Sequence, residues 1–201
     1  MVRFLAASVA ALSLMATSAV AQEQSALFGH FKTLCGEGQG DGARALTMGR
    51  SAGWAEIPGD AFAGDPDSPF DTVTVLMNAE DDGAISLLMV GTATQSFEEA
   101  GLAMNVCAVM GGNFETKAPL TPDPRPLLRQ WVGMDMHRAL TQDGMAGYAF
   151  SQQGGVRTPV RPSDAAVAQS AYLGNLHMIL INDESDEFDG GTMMMYMRPK
   201  Q

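Results

Sequence analysis

The chain has 201 residues, 46% hydrophobic and 17% charged, and its 23 acidic side chains against 12 basic ones give a formal net charge of -11. This composition argues against disorder, a collagen-like fibre or a membrane bundle, and with about 150 residues per domain as the usual scale the length fits one domain with a real core. Such an acidic surface repels phosphate backbones and anionic head groups; with only Lys32, Lys117 and Lys200 as lysines and the arginines scattered, no basic stripe offsets it, so nucleic acid is not an expected partner.

Residues 1–21 begin with Arg3, run through an apolar stretch from Phe4 to Met15, and end in small residues with Ala19 and Ala21 spaced as a signal peptidase reads them. They read as a cleaved export signal. A membrane anchor is the alternative, but it needs an apolar run of about twenty residues, and here Thr17 and Ser18 interrupt it. The expected organisation is a signal peptide over residues 1–21 and a single α+β domain over residues 22–201. No transmembrane segment is expected after cleavage, which places the mature chain in the periplasm or outside the cell.

In chain order, residues 25–34 form a short helix whose Ala26, Leu27, Phe31 and Leu34 make one apolar face leading to Cys35. A glycine-rich stop follows, then a second helix over residues 43–52, then Gly53-Trp54 and a Pro/Gly/Asp-rich connection over residues 58–69. Residues 71–78 and 84–91 alternate as strands across Glu80-Asp81-Asp82-Gly83 and predict a hairpin. Residues 95–101 read as a helical turn or short helix. Residues 103–111 read as a third strand with Cys107 and Val109 on one side.

Asp123 before Pro124 opens a helix reaching to about Leu140, with Leu127, Leu128, Trp131, Val132 and Met134 at helical spacing. A strand over residues 147–152 follows. Ser163 caps a helix that runs to Leu173 and stops at Gly174. Residues 176–182 and 192–198 form a terminal hairpin around an acidic loop. Adjacent hairpins with interspersed helices predict α+β with a mainly antiparallel sheet, helices packed on it, and one disulfide.

That disulfide is Cys35 to Cys107. Two cysteines in a chain that leaves the cytosol favour a bridge over free thiols or a metal pair, because neither lies in a C-x-x-C or among histidines. Phe31-Lys32-Thr33-Leu34-Cys35, followed by a helix, Gly53-Trp54 and Pro58, resembles small uncharacterised exported bacterial proteins with an early F-x-x-x-C and a G-W soon after. The resemblance spans about thirty residues. It implies export and no defined activity.

Methionine is the compositional outlier, at fifteen residues. Thioethers suit Cu(I), and strand alternation over residues 192–197 puts Met193, Met195 and Met197 on one face with Met194 and Tyr196 on the other. Same-face sulfurs start about 7 Å apart, so their flexible side chains must converge to share an ion, and two-sided burial explains the run as well. Met134, Met136 and His137 form a second soft-ligand candidate, provided the helix has ended before them. Asp183, Glu184, Asp186, Glu187 and Asp189 crowd one loop, without the spacing of a calcium-binding helix-loop-helix, and read as a solvated loop that guards a sheet edge.

Among the three histidines, His177 in an apolar strand reads as a hydrogen-bonded structural residue, and His137 near Asp135 is the acid/base candidate. No hydrolase motif surrounds either. Gly111-Gly112 and Gly154-Gly155 punctuate turns and lack the features of a phosphate loop. Trp54, Trp131, Tyr148 and Tyr172 line a groove or belong to the core. The resulting expectation is a non-catalytic exported domain that needs no cofactor and works by contact with a protein or envelope component. The alternatives are a soft-metal (copper) protein and a hydrolase.

Overall fold

Among the described residues, alternating side chains over long apolar runs build eight strands: β1 (Ala55–Ile57), β2 (Thr72–Ala79), β3 (Ile85–Phe97), β4 (Ala100–Gly112), β5 (Met145–Gln153), β6 (Val156–Pro159), β7 (Leu176–Asn182) and β8 (Gly191–Pro199). They pair antiparallel throughout, in the spatial order β1-β2-β3-β4-β8-β7-β5-β6. The β4–β8 pairing joins the first four strands to the last four. The computed structural model describes residues 25–58, 70–79, 84–97, 100–112, 122–141, 145–161, 163–182 and 191–200. The leader, nearly all of the 58–69 connection, the tip of the first hairpin and the acidic segment lie outside these residues.

The period of two divides the sheet into two buried faces. Leu76, Leu88, Cys107, Val109, Tyr148, Phe150, Ile179, Ile181, Met194 and Tyr196 point to one. Helix α1 (Ala26–Phe31), its π-helical continuation (Lys32–Gly36), α2 (Gly42–Ser51) and α3 (Pro124–Val132) cover it, contributing Leu27, Phe31, Leu34, Ala45 and Leu128 to the same core. On the other face lie Val75, Met89, Met104, Val106, Met110, Met178 and Met197, with Val167 and Ala171 of α4 (Asp164–Tyr172) against them. Burial on both faces makes the strands read as nearly continuous apolar runs. Among the described residues no helix is long and apolar enough to cross a membrane.

The caps are those the sequence predicts for α3 and α4. Asp123 accepts from Arg125 N at 3.0 Å ahead of Pro124, and Ser163 Oγ accepts from Ala166 N at 3.3 Å. Two expectations are corrected. The helical turn over residues 95–101 is contradicted at both its ends, which are strand, with Gln95, Ser96 and Phe97 paired to Leu102, Gly101 and Ala100. Ten further pairs zip the same hairpin, and this ladder outweighs the weak local helical preference of a Ser-Phe-Glu-Glu-Ala stretch. The helix expected to reach Leu140 stops at Gly133, which is left-handed at φ 74°, and only a 3-10 turn, Arg138–Leu140, follows.

Two short strands escape the periodicity altogether. β1 has three residues, and β6 has four and is tied to β5 by Gly154 and Gly155 at φ 57° and 82°, the double positive-φ turn that a tight hairpin needs.

Cys35 and Cys107 form the expected disulfide, with Cα atoms 5.5 Å apart and a separation of 72 positions in sequence. Both are fully buried, and the bond fastens the end of the first helix to the middle of β4. Closing so long a loop restricts the unfolded chain, and its loss from the C35A/C107A variant is expected to lower the unfolding free energy by about 4 kcal/mol in urea denaturation. An unchanged midpoint and slope would contradict this role.

Candidate functional site

Strand register gathers aromatic and basic groups at one end of the helix-covered face. Phe150 of β5 pairs with His177 of β7, and Ile179 of β7 pairs with Tyr196 of β8. Because Met178 pairs with Met197, antiparallel geometry sets His177 beside Arg198 one step further along. Gln152 of β5 pairs with Arg157 of β6, and this brings Arg157 onto the same face.

Within the cluster, Tyr196 Oη and His177 Nδ1 are 2.9 Å apart in a buried hydrogen bond. The imidazole lies flat on the Phe150 ring, centroids 5.6 Å apart at 10°, and Tyr196 stands edge-on to both. Burial pushes the His177 pKa below 6.5, and the Arg198 and Arg157 charges push it the same way. Burial holds the Tyr196 hydroxyl well above 10.0, outweighing the opposite pull of those two arginines. Both groups are therefore neutral at neutral pH. A Tyr196 hydroxyl that donates to Nδ1 leaves the ring proton on Nε2.

Arg157 sets its guanidinium carbon 4.3 Å from the Trp131 ring centre and 5.3 Å from that of Phe150, while Nη1 donates to the Trp131 carbonyl at 3.0 Å. Burial lowers its pKa from the ordinary guanidinium range. Glycines let the backbone close over these rings. A Cβ on Gly36 would come within 2.7 Å of Trp131 Cη2, and one on Gly40, itself at φ 75°, within 2.8 Å of Tyr196 Cδ1.

A groove of about 760 Å³ lies beside α3. Ala146 and Tyr148 of β5 line it together with Arg125, Arg129, Met134 and Met136. Met136 is 47% exposed, which is unusual for so large an apolar side chain. Arg125 and Arg129 carry exposed ion pairs to Asp123 and Asp135 at 3.4 and 3.1 Å. Such pairs are weak and readily exchange partners. Burial raises the Tyr148 pKa, with Arg129 opposing and Asp135 adding to the rise.

The two methionine candidates sit in different places. Met193, Met195 and Met197 share the second face as alternation predicts, with Met194 and Tyr196 opposite. Met110 lies directly across from Met193 and Met178 across from Met197, so the nearest thioether partners are cross-strand neighbours that the sequence did not single out. Met134 and Met136 line the groove instead. His137 is buried nearby, where its Nε2 donates to the Arg161 carbonyl at 3.0 Å and its backbone N–H to the Gly147 carbonyl at 2.6 Å.

Asp135 turns its carboxylate to Arg129, and the Thr141 hydroxyl donates to the His137 carbonyl at 3.0 Å. Among the described residues no group of three His, Cys, Asp or Glu side chains could hold a metal. The acidic candidates Asp183, Glu184, Asp186, Glu187 and Asp189 lie outside the described residues. Of the aromatic candidates, Trp54 is core, Trp131 packs from α3 against the first core, Tyr148 lines the groove, and Tyr172 is 90% exposed on α4.

Arg157 and Arg198 were missed by sequence reasoning. The alternation that placed Met194 and Tyr196 opposite Met193, Met195 and Met197 carries on to Arg198, on the helix-covered side of β8, and the Gly154-Gly155 turn carries Arg157 back over β5. No protein-family model matches the chain, and neither a curated protein nor a solved structure matches it.

The depressed His177 pKa carries a sign. Below the ordinary value of 6.5 the unfolded chain takes up a proton that the fold accepts only at lower pH, so His177 costs stability as pH falls through that window. In urea denaturation between about pH 7.5 and 5.5, the wild type is expected to lose more stability than the His177→Gln variant. A gap between the two proteins that stays constant with pH would contradict the assignment.

Proposed function

We propose that this is an exported, non-catalytic binding domain that takes an acidic, apolar segment of a partner protein in the groove beside α3. The observation that carries the reading is the exposed Met136 meeting Met134 and Tyr148 next to Arg125 and Arg129. Methionine adapts its shape to varied apolar partners, and the two arginines can trade their weak surface ion pairs for a partner's carboxylates. A chain with nearly twice as many acidic as basic residues, yet with two arginines flanking its groove, selects an anionic partner at that place. Export rests on the leader at residues 1–21, and the buried disulfide supports an oxidising destination, the periplasm or the medium.

The test is selection of peptides from a random display library on the disulfide-bonded protein. Enriched peptides are expected to combine Asp, Glu or a free C-terminal carboxylate with an aromatic or aliphatic side chain. Their affinity is expected to fall about tenfold or more with Met136→Asp and with Arg129→Glu. No enrichment, or binding unchanged by both substitutions, would remove the groove from the account.

The soft-metal reading draws on the cross-strand Met110–Met193 and Met178–Met197 pairs. Those thioethers are buried in the second core, where they fill space between strands. Titration of Cu(I) under anaerobic conditions, with the disulfide intact, is therefore expected to leave the melting temperature unchanged at several-fold excess. A saturable rise would replace the packing role with a metal site. The hydrolase alternative depends on His137, whose Nε2 is taken up by the Arg161 carbonyl.

A further inference from the structure

Two groups of arginines stand out among the described residues. Arg50, Arg125 and Arg129 each face a carboxylate, from Glu56, Asp123 and Asp135 respectively, and all three pairs are well exposed. Arg157 and Arg198 are half-buried at the end of the helix-covered face, and among the described residues neither forms an ion pair. Acidic side chains are abundant enough to neutralise both. Instead the two guanidinium groups approach the same neutral partners, His177 and Tyr196, and each acts electrostatically on both.

One donor there is also unspent: among the described residues Arg198 Nε is buried with no hydrogen-bond partner. Burying like charges together without a counter-ion is costly, and an anion seated between them removes that cost.

We infer that the end of β5, β6, β7 and β8 is a binding site for a small oxyanion, a phosphate or carboxylate group, held by Arg157 and Arg198 with His177 Nε2 as a further donor. The architecture suits that role. Arg157 is held in place by Trp131 and Phe150 and by its bond to the Trp131 carbonyl. His177 is fixed by its stack on Phe150 and its bond to Tyr196, and with the tyrosine hydroxyl donating to Nδ1 the ring proton sits on Nε2. Donors preset in this way lose little freedom when the anion arrives. Planar guanidinium groups match the paired oxygens of either anion. The site is separate from the groove beside α3, and neither claim depends on the other.

The experiment is NMR titration of the disulfide-bonded protein with sodium phosphate and, separately, sodium succinate, each against sodium chloride at matched ionic strength. Saturable shifts of the Arg198 and Arg157 Nε–H and His177 ring signals are expected with at least one oxyanion and not with chloride. The arm that saturates first distinguishes phosphate from carboxylate. Arg157→Gln and Arg198→Gln are each expected to weaken binding about tenfold or more, whereas Arg50→Gln leaves it unchanged. The wild-type signals decide the matter even where a variant fails to fold. Shifts no larger than chloride produces, or binding that survives both substitutions, would overturn the proposal.

Discussion

The disulfide between Cys35 and Cys107 positions everything that lies on the helix-covered face. Cys107 sits in β4 directly across from Tyr196 of β8, so the turn that follows Cys35 is delivered onto that tyrosine. Gly40 lies against the Tyr196 ring and Gly36 against Trp131, and both contacts are too close for any side chain. Trp131 in turn receives the edges of Phe28 and Phe31 and the guanidinium of Arg157. One covalent bond thus sets the height of the helical layer above the sheet, and with it the floor on which His177, Tyr196 and the arginines are arranged.

The two faces of the sheet divide the work. The second face is packed largely with methionine, an unbranched side chain that fills irregular space between long strands without demanding a particular shape. The first is packed with aromatic rings that meet edge to face around Trp131 and Tyr196. Arg125, Arg129, Arg157 and Arg198 all belong to that first side, so positive charge of an otherwise acidic protein gathers around the aromatic packing. Fixed donors on a rigid support are what selective recognition of an anion requires.

Much of the architecture is legible in the residue order, and the reasons are specific. Thr72 to Ala79 announces itself by alternation, Leu176 to Asn182 and Gly191 to Pro199 by long apolar runs, and Asp123 and Ser163 by the helices they cap. The stretch around Gln95 misleads because its local preference is helical while its partner strand is remote from any short window. Gly133 ends α3 early, and that frees Met134 and Met136 to line the groove rather than continue a helix. The basic cluster could not be read, because it exists only once β7 inserts between β5 and β8, an order that no local pattern encodes.

Differential alkylation with mass spectrometry on protein purified from its native location tests the governing bond most directly. The account predicts a chain lighter than the dithiol by two hydrogens, inert to alkylation until reduced, and yielding on digestion a single linked peptide that contains Cys35 and Cys107. Full alkylation of both thiols without reduction would contradict it.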